Sequence, residues 1–209
     1  MPRVSDEVRG LFGEIDIYLF DQLLRGRLDA RRRVLDAGCG SGRNLVYLLS
    51  RGFEVFAIDA DPGSVMATRA LVARLAPGLP PDNVRQGALD DLPWETASME
   101  AVLCSAVLHF ARDAGHFTAM VEEMWRVLVP GGLFFARLAS SIGFEGRLPA
   151  STGRLRLPDG SDRFVVDEAL LVATTARLGG RLLDPLKTTV VQDQRAMTTW
   201  CVEKASTAT

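Results

Sequence analysis

Arg33-Val34-Leu35-Asp36-Ala37-Gly38-Cys39-Gly40-Ser41-Gly42-Arg43-Asn44 is the stretch whose reading decides the fold. Val34-Leu35 reads as the end of a buried strand. Glycines follow at 38, 40 and 42, and Leu45, Val46, Leu48 and Leu49 then open an apolar pattern at helical spacing. Strand, glycine turn and helix in that order bring bare backbone up to a nucleotide-like ligand. The spacing is not that of a dinucleotide fingerprint, Gly-x-Gly-x-x-Gly, because Arg43 stands where its third glycine would be. Asp36, at the strand end, can balance an ammonium group and would repel a pyrophosphate. The stretch therefore favours a cationic ligand over an anionic dinucleotide. The plainer alternative is a tight strand-to-helix turn with no ligand.

The motif resembles the first motif of class I S-adenosylmethionine-dependent methyltransferases, whose turn holds the methionine half of the cofactor. The Gly-Ser-Gly-Arg-Asn string is similar to that of small bacterial members, including the tellurite-resistance type. The resemblance implies a doubly wound, Rossmann-like α/β fold with a seven-stranded sheet, mostly parallel with the last strand antiparallel. It implies S-adenosylmethionine as cofactor, with Asp36, Gly38, Cys39, Gly40, Gly42 and Asn44 around its methionine half. It covers roughly residues 33 to 138 well and the remainder only in general plan.

Working outward, Glu54 to Ile58 read as a second strand with Asp59 and Ala60 at its carboxyl end. Asp59 lies about where an acidic residue accepts ribose hydroxyls, some 20 residues beyond the turn. Asp61-Pro62 already supplies a helix cap, which frees Asp59 for a ligand. A helix from Pro62 to about Ala76 and a short strand at Val84 to Gln86 follow. By the resemblance, Gly87-Ala88-Leu89-Asp90 frames adenine. Many relatives carry Asp where this chain has Ala88, which leaves the backbone of Ala88 and Leu89 to reach the adenine edge.

Residues 100 to 104 form a fourth strand running into Ser105-Ala106-Val107-Leu108-His109-Phe110. The resemblance places Ser105 against the cofactor and this strand end opposite the transferred methyl group. Enzymes that methylate base amines often carry Asn or Asp, then Pro-Pro and an aromatic, at this point. Their absence argues against such a substrate. His109 is the candidate general base, since a neutral imidazole can take a proton from a nucleophile. Its alternative role is to hold the loop. His116 falls inside the next helix, at 116 to 128, and reads as structural. Val129-Pro130-Gly131-Gly132 reads as a turn into a fifth strand, Leu133 to Leu138.

The N-terminal segment, residues 5 to 26, reads as helix broken near Gly10 and Gly13, with Tyr18 or Asp21 as candidates to cover the site. Residues 139 to 163 read as loop and then a small hairpin around Asp159-Gly160, a candidate substrate lid. Arg147, Arg154, Arg156 and Arg163 there can receive an anion or simply face solvent. A helix from Val166 to Leu178 precedes strands at Leu182 to Val191 and Arg195 to Val202. Their connection puts Gln192, Gln194 and Arg195 among the candidate substrate contacts, with Tyr18, His109 and Arg147, or is an ordinary polar turn.

Bulk composition sets the limits. At 209 residues the chain is long enough for one well-filled domain. The expected plan is one methyltransferase domain over 1–209, with an N-terminal helical cap over 1–30 and the lid over 139–165. A net charge of -2, with only Lys187 and Lys204 as lysines, gives no basic stripe for nucleic acid. No apolar run is long enough for a membrane span, and the N-terminal residues lack a signal-peptide core. Cys39, Cys104 and Cys201 are scattered and odd in number, which suggests reduced thiols in a cytoplasm and no metal site.

The expectation is a methyltransferase for a small oxygen, sulfur or chalcogen nucleophile, acting as monomer or homodimer. The competing classes are a non-catalytic cofactor-binding module, an RNA methyltransferase and an NAD-linked oxidoreductase.

Overall fold

A computed structural model describes residues 3–144 and 152–206. The chain opens with α1 (Val4–Phe12) and α2 (Ile17–Leu24), then β1 (Arg33–Ala37), α3 (Val46–Ser50), β2 (Glu54–Asp59) and α4 (Pro62–Leu75). It continues with β3 (Val84–Gln86), β4 (Met99–Ser105), α5 (Ala114–Val127), β5 (Leu128–Ala139) and the hairpin β6 (Gly153–Arg156) and β7 (Asp162–Val165). It closes with α6 (Glu168–Arg177), β8 (Gly180–Leu182), β9 (Lys187–Val191) and β10 (Arg195–Lys204).

The main sheet has the order β3-β2-β1-β4-β5-β10-β8, with β9 also pairing to β10. Strands β1 to β5 are parallel to one another, and β10 runs antiparallel to β5, β8 and β9. The order reverses between β1 and β4. A crevice must open there at the strands' carboxyl ends, because the connections leave in opposite directions.

Both sheet faces are covered, so the central strands are mainly apolar. Leu35, Phe56 and Val102 join α5 and α6 in one core, and Val34, Val55 and Ala101 join α2, α3 and α4 in the other. This is the period-two alternation of a strand buried on both sides.

Three details differ from the sequence reading. The strand expected over 182–191 is interrupted. Leu182 pairs with Val202 but Lys187 pairs with Thr199, so the register shifts by two residues between them. Pro185 lies in that gap, where it has no N–H to give a ladder. Asp184 beside it takes two hydrogen bonds from Arg27, at 2.7 and 2.9 Å, which fastens the N-terminal segment to this edge.

Second, Val129 to Gly132 form no separate turn. Leu128 already pairs with Met99, and the extra residues are absorbed as a bulge before Leu133 pairs with Ala101. Third, the N-terminal helix divides at Gly13, and Gly10 stays inside α1, which buries none of its residues.

The hairpin sits over the carboxyl end of β5. Phe164 stacks on Phe117 at 5.3 Å, and Leu157 and Val165 pack on Ala139. Arg147 lies outside the described residues.

Candidate active site

Two cavities meet at this end of the sheet. The larger, about 670 Å³, lies over the switch point and is lined by the glycine turn, Asp59 to Asp61, Ala88, Leu89 and the end of β4. The smaller, about 370 Å³, lies beyond the end of β4 under the hairpin. Ala106 and Phe110 line both. Ala106 holds a left-handed conformation, φ 65°, with its N–H donating to the Arg137 carbonyl at 2.7 Å. An alanine in that region stores strain, a feature that clusters at functional turns.

The glycine turn is tied to β2. Gly38 and Cys39 donate to the Ile58 carbonyl at 2.8 and 3.0 Å, and Gly40 donates to Asp59 Oδ2 at 2.8 Å. Gly38 has φ 82°, and a Cβ there would lie 2.3 Å from a methyl of Val107. Gly38→Ala is therefore expected to cost about 2–3 kcal/mol in urea unfolding, from left-handed strain plus overpacking. At Gly40, φ 53°, a Cβ would meet nothing within 4 Å, so bare backbone borders the cavity.

Gly38, Cys39, Gly40, Asn44, Asp59, Ala60, Ala88, Leu89 and Ser105 thus line one cavity, although they come from four segments of chain. Gly42 is not among its lining residues: it packs against Leu71 and Thr68. Asp36 is also set back. Its carboxyl is fully buried, neither oxygen has a hydrogen-bond partner, and burial pushes its pKa up to about 7. Arg43 pulls that value down and Asp59 pushes it up, both less than burial does. Burial likewise holds the Cys39 thiol near 12, so it stays protonated.

Asp59 accepts the Asp61 N–H on Oδ1 at 3.0 Å, and Asp61 caps α4 through the Ser64 N–H at 2.7 Å. The cap and the cavity carboxylate are therefore separate residues. His116 also reaches this cavity. Its Nε2 is 3.4 Å from Asp90 Oδ2, while Nδ1 accepts the Arg112 N–H at 3.1 Å.

The N-terminal segment enters through Asp16, which the sequence reading did not single out. This buried residue caps α2 through Tyr18 N–H at 2.9 Å, and its own N–H donates to Asn44 Oδ1 at 3.0 Å. Its Oδ2 accepts Ser105 O–H at 2.9 Å and an Arg137 N–H at 3.3 Å; Arg43 is 3.7 Å away. The visible signal was an aspartate just before an apolar helix, which also describes any ordinary cap. Tyr18 lies with its ring under the Arg137 guanidinium, 4.8 Å away, and its hydroxyl meets Thr189. Asp21 turns to Arg25 and Lys187 instead, at 2.8 and 3.3 Å.

The smaller cavity collects His109 and Arg195 with Arg137, Arg163 and Asp159. Gln194 sits in an exposed turn and lines neither cavity. Arg154 donates to the Ala111 carbonyl, and Arg156 pairs with Asp162 at 2.7 Å. His109 is buried, and its Nδ1 has no partner. Burial lowers its pKa to about 4, with Arg163 and Arg137 adding to the effect, so the imidazole is neutral at pH 7.

Residues 35–136 match the family model described as a methyltransferase domain. A probable S-adenosylmethionine-dependent methyltransferase from Mycolicibacterium smegmatis is 33% identical over 116 residues, which is 56% of this chain and 41% of that protein. A ubiquinone biosynthesis O-methyltransferase from Methylocella silvestris is 36% identical over 104 residues, 50% of this chain and 38% of the relative. The matches thus span about two fifths of those curated relatives' lengths.

Among solved structures, a SAM-dependent methyltransferase from Methanosarcina mazei superposes with a TM-score of 0.67 at 20% identity, over 88% of this chain and 97% of that one. At that identity the likeness speaks for the fold. With the reversed strand order, the glycine turn and the matched segment all in place, residues 35–136 form a methyltransferase domain and the chain carries the fold of S-adenosylmethionine-dependent methyltransferases.

Proposed function

We propose that this chain transfers a methyl group from S-adenosylmethionine to a compact oxygen, sulfur or chalcogen nucleophile. The observation that carries this reading is the meeting of two cavities at Ala106 and Phe110, one floored by the glycine turn and Asp59. The residues fit the cofactor on a feature of the fold itself. Asp36 keeps two buried carboxylate oxygens without a partner, two residues before the turn, as a counter-charge for an ammonium would.

In this reading Asp59 takes the ribose hydroxyls, and Ala60, Ala88 and Leu89 wall the adenine. Gly38, Cys39, Gly40, Asn44 and Ser105 line the methionine half, and Gly42 lets the turn pack on α4. When bound, the cofactor supplies a methyl carbon made electrophilic by its sulfonium. The acceptor's lone pair would form the new bond to that carbon as the carbon–sulfur bond breaks, and the carbon–sulfur bonding pair would remain on sulfur. The chain has to hold the nucleophile in line and keep water away.

The histidine bears on which nucleophile. An imidazole whose conjugate acid has a pKa of about 4 takes a proton poorly from a phenol of pKa about 10. Acceptors that arrive as thiolates or oxyanions need no such help. His109 is then a wall of the acceptor chamber with at most a minor share in proton transfer. The O-methyltransferase among the relatives supports an oxygen acceptor.

The test is a screen with labelled S-adenosylmethionine against thiols, chalcogen oxyanions, carboxylates and phenols, scored by S-adenosylhomocysteine formed. Turnover with a member of that panel is expected. Tight S-adenosylhomocysteine binding with no turnover would favour a binding module instead. At saturating cofactor, kcat for an acceptor ionised below pH 6 is expected to stay flat from pH 6 to 8. A limb near 6.5 that disappears in His109→Gln would instead make the histidine a base.

A further inference from the structure

The smaller cavity has an uneven charge. Its ionised lining is three guanidiniums, Arg137, Arg163 and Arg195, against one carboxylate, Asp159, among the described residues. None of the three is held in a tight ion pair facing the space. Arg195 stands 3.8 Å from Asp159 Oδ2, beyond hydrogen-bond reach, while Asp159 Oδ1 is taken up by the N–H and O–H of Ser161 at 2.9 and 2.6 Å. Arg163 donates to the Asp162 carbonyl at 2.9 Å and stacks over Phe110 at 4.9 Å.

Arg137 offers one N–H to Asp16, a carboxylate that also takes the Ser105 hydroxyl and lies near Arg43. Its Nε is buried with no partner. A buried guanidinium N–H without an acceptor is costly, so the charge of Arg137 is only partly compensated within the fold.

The three arginines come from β5, β7 and β10, so only the fold brings them together. Apart from His109 and Ser161 the remaining walls, Ala139, Leu157 and Met197 among them, are apolar and lower the local dielectric around the charges. At about 370 Å³ the space suits a compact molecule, and it borders the larger cavity at Ala106 and Phe110, which line both.

We propose that this chamber receives a methyl acceptor carrying a carboxylate or similar oxyanion, which Arg137, Arg163 and Arg195 hold so that the nucleophilic atom faces the border with the larger cavity at Ala106 and Phe110. This rests on the reading of the larger cavity as the cofactor site.

Two matched pairs of probes test it by calorimetry on the full chain saturated with S-adenosylhomocysteine: 4-hydroxybenzoate against 4-hydroxybenzamide, and 3-mercaptopropionate against 3-mercaptopropanamide. The acids are expected to bind about tenfold or more tightly than the amides, since a charge-assisted pair replaces a neutral contact. That preference should shrink with added salt. In Arg163→Gln combined with Arg195→Gln it should fall to about threefold or less, while S-adenosylhomocysteine affinity and Tm are kept.

Equal affinity for acid and amide, no binding of either, or a preference unchanged in the double variant would overturn the inference. A failure of S-adenosylhomocysteine to bind strikes the cofactor reading instead. The same probe comparison on cofactor-free protein then still decides whether the chamber selects anions.

Discussion

Asp59→Ala is expected to weaken S-adenosylhomocysteine binding by a hundredfold or more, measured by calorimetry at pH 7.5. Each carboxylate oxygen already accepts one backbone N–H, from Gly40 or Asp61, so the side chain is fixed toward the cavity before any ligand arrives. Its remaining lone pairs are the acceptors proposed for the ribose hydroxyls. Charge-assisted hydrogen bonds are worth roughly 1.5–3 kcal/mol each, so two lost bonds amount to roughly 3–6 kcal/mol. At about 1.4 kcal/mol per factor of ten, that is at least two decades in Kd. The glycine turn also loses its tie at Gly40, which adds to the loss. Asp59→Asn should be nearly as poor, because its amide must turn an N–H toward one of the two backbone donors. Affinity unchanged in Asp59→Ala would remove the cofactor assignment for this cavity.

Asp36→Asn should act in two opposite directions. In the folded chain burial raises the Asp36 pKa from 3.8 to about 7. Below 3.8 the acid is protonated whether folded or not, and the penalty is absent. Between 3.8 and 7 the unfolded chain ionises while the folded chain keeps its proton. Stability therefore falls as pH rises through this window, and above about 7 the full penalty, of order 4 kcal/mol, is present. The neutral asparagine lacks that slope. Ligand-free Asp36→Asn should gain Tm relative to the parent as pH goes from 4 to 8.

Binding should show the reverse. If the ionised carboxylate receives the ligand's ammonium, each pH unit well below 7 weakens S-adenosylhomocysteine binding about tenfold in the parent. In Asp36→Asn affinity should be low and nearly independent of pH. Parallel pH profiles for the two proteins, in Tm and in Kd, would dismiss Asp36 as the counter-charge. A residue whose removal stabilises the empty protein and weakens the loaded one is the trade expected of a site that stores electrostatic strain.

Much of the larger cavity's lining was legible because its determinants are local. Val34-Leu35 followed by Gly38, Gly40 and Gly42 requires only the neighbouring strand to become a turn with its backbone exposed. Asp59 could be separated from its helix-cap alternative because Asp61-Pro62 stood beside it, and the Ser64 N–H is indeed capped by Asp61. The ends of β3 and α4 followed from periodicity and proline in the same way. Where the reading slipped, a distant contact had overridden a local signal. Leu182 to Val191 alternates like one strand, yet Pro185 and the Asp184–Arg27 pair break it against β10. Val129-Pro130-Gly131-Gly132 has turn chemistry, yet pairing of Leu128 with Met99 draws it into β5 as a bulge.

The lining of the smaller cavity was decided elsewhere. Arg137, Arg163 and Arg195 are far apart in sequence and lie on strands whose local patterns are ordinary. Arg163 and Arg195 stand among the candidates read from their loops and Arg137 does not, but nothing local to any of the three shows that they line one cavity. Asp16 is similar: as a helix cap it is unremarked, and only chain closure places its carboxylate against Ser105 and Arg137. The sequence by itself determined the βαβ core, the glycine turn and the two acidic strand ends, because backbone conformation and strand periodicity are written residue by residue. Which charges face one another, how deeply Asp36 and His109 are buried, and that a second chamber opens beside the first depend on long-range packing. Electrostatic energy is set by distance and dielectric in space, and neither can be read along the chain.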